Sequence, residues 1–211
     1  MCKDGSKKKM CLLVGSSEFY CDRLSNIEDA FIIALDGGYE HLRDRGIVPD
    51  MIIGDFDSLG YIPEFDNITV LPRVKDDTDS FYAAKEALGM GYRDFYLCGC
   101  TGGERPEHTF ANISLMLYLA HHGAKCVMEG ERELYRVISG PCKLEFFDGQ
   151  GYFSAFSLSE STEGVTMHGF EYETRSITMR SDVPLGVSNS FKNEICTLEI
   201  SKGDLLVIWE K

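Results

Sequence analysis

The sequence predicts an α/β N-terminal domain with a mainly parallel sheet, followed by a C-terminal all-β sandwich. Three observations carry that expectation. Over the first 130 residues, short apolar runs alternate with helical patterns, the signature of a parallel α/β sheet. From about Glu131 the helical period disappears and strand-like runs follow one another at near-regular spacing. Turn pairs punctuate that half, at Gly140-Pro141, Asp148-Gly149, His168-Gly169 and Lys202-Gly203. The expected domains are 1–130 and 131–211.

Taken in order, residues 10–14, 31–35, 51–53, 68–71, 95–98 and 126–128 read as buried strands. They are β-branched or aromatic and are bounded by Gly, Asp or Pro. Between them, Phe81, Ala84 and Leu88 recur at i, i+3 and i+7, as do Phe110, Ile113, Leu117 and Ala120. Both segments read as amphipathic helices with those residues facing a core. In the second half, residues 134–138, 143–147, 151–158, 164–167, 195–200 and 204–209 read as strands.

Asp and Glu total 34 against 21 Lys and Arg, a formal net charge of −13. With no Lys/Arg stripe, that balance excludes a general nucleic-acid binder and leaves open a nucleotide held through a metal ion. No apolar run approaches the roughly 18 residues that span a bilayer, so no membrane association is expected. After the basic start (Lys3, Lys7, Lys8, Lys9) the apolar stretch covers only residues 10–14, too short for a signal-peptide core. The eight cysteines make no C-x-x-C pair and mostly sit in apolar runs. Buried free thiols in a cytoplasmic protein are the expectation, with neither a zinc site nor a disulfide framework.

Four segments of the first half end abruptly in Asp or Gly. They are Asp36-Gly37-Gly38, Gly54-Asp55-Phe56-Asp57-Ser58, Lys75-Asp76-Asp77-Thr78-Asp79 and the loop from Gly102-Gly103 to His108. Ligands of open α/β sheets bind at the carboxyl ends of the strands, so these loops are expected to converge. Asp55 and Asp57, two apart on an extended segment, would face one ion, and Mg²⁺ takes one or two carboxylates plus substrate phosphates. The same residues also build turns, but a second acidic cluster favours the ion. Asp79 opens a helix that Thr78 or Asp77 can cap. Three acids in four residues exceed what capping needs and repel one another unless a cation sits among them. Lys75 suits a salt bridge and a phosphate oxygen equally. Gly102-Gly103 ahead of Pro106 suits an anion at a helix N-terminus, and Arg105 adds a planar donor. Glu104 and Glu107 oppose pure phosphate binding and suit a metal or a sugar hydroxyl. His108 suits a ligand contact or a locally satisfied first-turn histidine.

The constellation resembles the thiamine pyrophosphokinases. The resemblance is carried by Asp36-Gly37-Gly38, Pro49-Asp50 with Gly54-Asp55-Phe56-Asp57-Ser58, Lys75-Asp76 with Thr78-Asp79, the loop Gly102-Gly103 to His108 with Ala111-Asn112, and Gly186-Val187-Ser188-Asn189. It implies an α/β catalytic domain, a β-sandwich and a homodimer with active sites between subunits. It also implies Mg²⁺-dependent transfer of pyrophosphate from ATP to the hydroxyl of thiamine, releasing AMP. By motif match, Asp55, Asp57 and Asp79 resemble the Mg²⁺ and catalytic carboxylates, with Asp79 ahead of Asp57 as general base. Asp36, Gly37, Lys75, Thr78, Gly102, Gly103, Arg105 and His108 resemble the ATP and phosphate contacts. Ser188 and Asn189 resemble the thiamine-binding segment, and Tyr172 and Phe191 are aromatic candidates beside it.

The chain departs from the family's usual G-G-R-x-D-H by one extra loop residue and by Glu107 where Asp is usual. Two other readings fit part of the pattern. A Mg²⁺-dependent nucleotide-sugar transferase leaves the Lys75–Asp79 cluster and Ser188-Asn189 unexplained. An inactive binding protein fits only the altered loop and is opposed by retention of all three carboxylates.

Overall fold

The computed structural model describes residues 9–22, 29–74 and 76–211. They divide into two compact units. Described residues through Leu115 together with Met128–Gly130 form the first; Met116–Val127 with Glu131–Lys211 form the second.

In the first unit, β1 (Met10–Val14), β2 (Ala30–Leu35), β3 (Met51–Gly54), β4 (Ile68–Val70) and β5 (Asp94–Cys98) pair in the order β5-β1-β2-β3-β4. Every pair is parallel, with Leu12 opposite both Ile32 and Tyr96. Leu12, Leu13, Ile32, Ile33, Ile52, Ile53 and Leu97 are all buried, so the strands are covered on both faces. That is why their sequences are continuous apolar runs rather than alternating ones. Parallel pairing also brings every carboxyl end to one edge.

Three helices complete the early part of the chain: α1 (Gly38–Arg43), α2 (Asp79–Gly89) and α3 (Pro106–His121). The sequence does not announce α1, because six residues are too few to show a helical period. On α2 the buried positions are Ala83, Ala84 and Ala87. The expected stripe of α3 is corrected. Asn112, Leu115, Met116 and Leu119 are its buried face, whereas Phe110 is 74% exposed and Ile113, Leu117 and Ala120 are half-buried. An almost wholly apolar helix carries two stripes of the same period, so spacing cannot choose between them.

The second unit contains β7 (Glu133–Ser139), β8 (Cys142–Phe147), β9 (Tyr152–Ser157), β10 (Ser161–His168), β11 (Thr174–Arg180), β12 (Gly186–Ser190), β13 (Ile195–Ile200) and β14 (Asp204–Glu210), following β6 (Lys125–Glu129). They form two antiparallel sets, β12-β9-β14-β7 and β11-β10-β13-β8. Phe153, Ala155, Leu205 and Val207 from one set and Leu144, Val165, Met167 and Leu198 from the other share a core. Tilted and edge-on rings fill it: Phe153 lies 4.5 Å from Phe170 and 5.5 Å from Phe146, and Phe146 lies 5.5 Å from Trp209. The sequence reading misses β11 and β12. Both are edge strands, largely exposed, and so carry little of the apolar alternation that marks a half-buried strand.

Asp204 pins the start of β14. Its carboxylate accepts from Ser159 Oγ at 2.8 Å and lies 2.9 Å from His121 Nε2, with its side chain 15% exposed. Burial pushes the carboxyl upward, but hydrogen bonds from Ser139, His121 and Ser159 outweigh it and hold the group below the ordinary carboxylate range. A depressed folded pKa contributes stability above the unfolded value and loses it as pH falls through the folded one. Unfolding midpoints of the parent should therefore drop below about pH 4, while Asp204→Asn is less stable at neutral pH and flatter across that window.

The expectation of free thiols is corrected at one pair. Cys21 and Cys98 form a disulfide, 77 residues apart in sequence with Cα atoms 5.6 Å apart. Parallel pairing of β1 with β5 brings the segment after β1 against the end of β5, a proximity that cysteine spacing does not reveal. Cys11, Cys100, Cys126 and Cys196 are buried free thiols, and Cys142 is half-buried.

Candidate active site

At the carboxyl edge of the parallel strands, carboxylate oxygens of Asp36, Asp55 and Asp79 all lie within 4.8 Å of one another. Asp36 follows β2, Asp55 follows β3 and Asp79 opens α2. Two non-glycine residues here take left-handed backbone, Asp36 (φ 48°) and Phe56 (φ 57°). Such conformations cost energy and persist only where the surroundings enforce them; the Phe56 side chain, 3% exposed, supplies that anchor. Gly54 makes room for the Asp36 turn, since a Cβ there would sit 3.0 Å from the Asp36 Cα.

Ser58 Oγ donates to Asp36 Oδ2 at 2.6 Å, whereas Asp36 Oδ1 is buried with no hydrogen-bond partner among the described residues. Burial pushes the Asp36 carboxyl up, Ser58 opposes the shift, and the Asp79, Asp55 and Asp57 charges add to it. Like charges held this close, with an oxygen left unsatisfied, form a site short of positive charge.

Asp57 is not in the group of three. The left-handed Phe56 between them ends the alternation that an extended D-x-D would have. The Asp57 N–H donates to Asp55 Oδ1 at 3.3 Å, and its carboxylate takes Arg73 Nη2 at 3.1 Å. Thr78 caps α2, its Oγ1 accepting from the Phe81 N–H at 3.2 Å. Asp77 pairs with Lys85. Lys75 lies outside the described residues.

The glycine loop is closed by Thr109, whose Oγ1 accepts from the Gly102 N–H at 3.2 Å. Both Gly102 (φ 73°) and Gly103 (φ 74°) are left-handed and exposed. Arg105 Nε donates to Glu107 Oε1 at 2.8 Å, and that bond holds the Glu107 carboxyl below its usual range. The altered residue is thus the partner of Arg105. His108 is half-buried, its N–H donating to the Arg105 carbonyl at 3.0 Å. Asn112, 5% exposed, donates to the Cys100 carbonyl at 2.7 Å and accepts from Ser80 Oγ at 2.7 Å, so it joins the loop after β5 to the first turn of α2.

In the second unit, Ser188 is exposed and left-handed (φ 58°), with its N–H on Ser154 Oγ at 3.1 Å. Asn189 is buried. Its Oδ1 accepts from the Tyr172 N–H at 2.9 Å and its Nδ2 donates to the Tyr172 carbonyl at 2.8 Å. The amide is thereby used on backbone, and Tyr172 stands 68% exposed beside it. Phe191, in contrast, packs with Phe146, Phe153 and Phe170 against the core.

The segment after β1 belongs to the same edge and was missed. Its Gly15 N–H donates to the Cys98 carbonyl at 2.8 Å and its Ser17 N–H to the Gly99 carbonyl at 3.0 Å. The signal was available, because Val14-Gly15-Ser16-Ser17 is also an apolar strand ending abruptly in glycine. Arg73 was missed too, and no motif points to it.

The family model described as "Thiamin pyrophosphokinase, catalytic domain" matches residues 24–128. The thiamine pyrophosphokinase of Bacillus subtilis (strain 168) is 27% identical over 191 residues, 86% of this chain and 87% of that one. This chain belongs to the thiamin pyrophosphokinase family. Crystal structures described as thiamin pyrophosphokinases share the fold. That of the Bacillus subtilis protein has a TM-score of 0.85 at 24% identity, covering 96% of this chain and 99% of that one. That from Geobacillus thermodenitrificans has 0.82 at 25% identity, covering 96% and 97%. The acid cluster and the glycine loop both fall inside the span matched by the thiamin pyrophosphokinase catalytic model.

Proposed function

We propose that this chain is a thiamine pyrophosphokinase, transferring pyrophosphate from ATP to the hydroxyl of thiamine to give thiamine pyrophosphate and AMP. The observation that carries the proposal is the convergence of Asp36, Asp55 and Asp79 at one strand edge in a chain of this family. The donor set fits Mg²⁺: three hard carboxylates, with the buried Asp36 Oδ1 lacking a hydrogen-bond partner among the described residues. Asp36, Asp55 and Asp79 would hold the ion, which when bound neutralises phosphate charge and polarises the attacked phosphorus.

The remaining work falls to this chain's own groups. Asp79 is the group assigned to accept the thiamine hydroxyl proton, with Asp57 the alternative. Gly102 and Gly103, ahead of α3, are assigned to cradle phosphate oxygens with backbone N–H groups. Arg105, Arg73 and Lys75 are assigned to supply charge to the phosphates, and Thr78 and His108 to shape the nucleotide pocket. Ser188, with Asn189 bracing Tyr172, is the segment assigned to thiamine, whose thiazolium cation suits an exposed aromatic ring.

We also propose a homodimer. Its support is the apolar face of α3 left exposed at Phe110. Phe110→Glu should convert a dimer to a monomer in light scattering coupled to size exclusion, and an unchanged mass would remove that face from the interface.

The deciding experiment for the reaction separates nucleotides and thiamine species after incubation with ATP, Mg²⁺ and thiamine. AMP in step with thiamine pyrophosphate is expected. ADP with thiamine monophosphate would move the attack to the γ-phosphate, and turnover independent of thiamine would overturn the assignment.

A further inference from the structure

We propose that the Cys21–Cys98 disulfide is a redox tether on the wall of the site, a thiol–disulfide exchange position for a small or protein dithiol. The proposal does not depend on which reaction the site performs.

Residues 15–22 leave β1 at the edge that holds the acid cluster. A Cβ on Gly37 would meet Ser16 Cβ at 3.0 Å, and one on Gly103 would meet Ser17 Oγ at 3.7 Å. The segment thus stands between the loop after β2 and the glycine loop. Its early part is fixed by the β5 carbonyls and by the Ser17 carbonyl, which lies 2.9 Å from His41 Nε2. Phe19 then stacks on His41 at 5.0 Å, with the Arg45 guanidinium 4.5 Å from its ring. At the far end, the Asp22 N–H donates to Glu129 Oε2 at 3.0 Å. The one covalent tie in the segment is Cys21 to Cys98.

Glu129 explains why opening the bond would act locally. It is fully buried, accepts from Tyr96 Oη at 2.7 Å as well as from Asp22, and lies within 4.8 Å of both sulfurs. Neither of these hydrogen bonds involves a sulfur, so reduction removes the covalent restraint and leaves Asp22 and Tyr96 held by Glu129.

Exchange enters at Cys21, which is half-buried while Cys98 is buried. A thiolate of the dithiol bonds to Cys21 Sγ, the S–S bond breaks, and Cys98 leaves and takes a proton. The second thiol of the reductant then displaces Cys21. Two electrons and two protons pass from the dithiol to the protein, and the dithiol becomes a disulfide.

The test uses the full chain before and after dithiothreitol, with free thiols trapped by iodoacetamide under denaturing conditions and located by peptide mass spectrometry. Cys21 and Cys98 should resist alkylation before reduction and both react after it. Hydrogen exchange of the amides of residues 19–22 should quicken at least about tenfold on reduction, with the strands of the first unit unchanged. Cys21→Ser should exchange at the fast rate in both conditions. The KM for ATP should rise severalfold on reduction of the parent and stay at that higher value in Cys21→Ser. Alkylation of both cysteines without reductant would overturn the proposal, as would equal exchange in the two states. Protection of the reduced pair by Zn²⁺ would instead assign the sulfurs and Glu129 to a metal. Exchange and alkylation are read without turnover, so loss of the thiamine assignment would leave this result standing.

Discussion

Asp79→Asn should lower turnover by more than about a hundredfold while leaving the circular dichroism spectrum and unfolding midpoint close to the parent's. Asn keeps the size of the side chain and removes its charge, so the change isolates the role of the carboxylate in the cluster. Thr78, not Asp79, makes the capping hydrogen bond of α2, and that bond survives the substitution. Asp55→Asn should behave the same way, because its oxygens belong to the same group. A loss of two orders of magnitude is the scale seen when a group that stabilises developing charge is removed. Asp57→Asn is the informative contrast. Its carboxylate is turned to Arg73, and the expected loss is about tenfold or less, the size of a positioning defect. Parent-like turnover in both Asp55→Asn and Asp79→Asn would take these residues out of the mechanism.

Phe153→Ala should cost about 3–5 kcal/mol of stability, the range for removing a buried aromatic ring. Phe153 is fully buried and its ring meets Phe146, Phe170 and Phe191 at 4.5 to 5.7 Å. The hole left behind is bounded by rings that cannot all move to fill it, which puts the cost at the upper end. Trp209, the one tryptophan of the sequence, lies on β14 opposite Phe153, so its fluorescence follows the second unit during urea unfolding. A midpoint within measurement error of the parent would mean that the cluster collapses freely around the deletion.

What could be read in advance followed from how strongly burial marks a segment. Strands covered on both faces, such as Leu12-Leu13-Val14 or Ile52-Ile53, show as apolar runs and were found at nearly their observed bounds. Edge strands β11 and β12 bury little, and nothing in Thr174-Arg175-Ser176 distinguishes them from loop. The stripe of α3 failed for the opposite reason, too much apolar surface rather than too little. At the site, the acidic loops were legible because strand ends rich in Asp and Gly are unusual. The grouping within them was not. It depends on a positive φ at Phe56, a residue type that gives no warning of left-handed backbone, and on the β2–β3 pairing, which sets the end of β2, where Asp36 follows, beside Gly54 just before Asp55. The Cys21–Cys98 bond was hidden likewise, since parallel neighbours are distant in sequence.

Asn112 has a kinetic consequence. By holding the Cys100 carbonyl and Ser80 Oγ together, it makes the loop after β5 and the start of α2 a single rigid piece. The ordering cost of these two loops is met when the chain folds, so a ligand meets them already in register. Nucleotides that share a triphosphate but differ in base should then associate at similar rates, and their preference should be written in how slowly each one leaves.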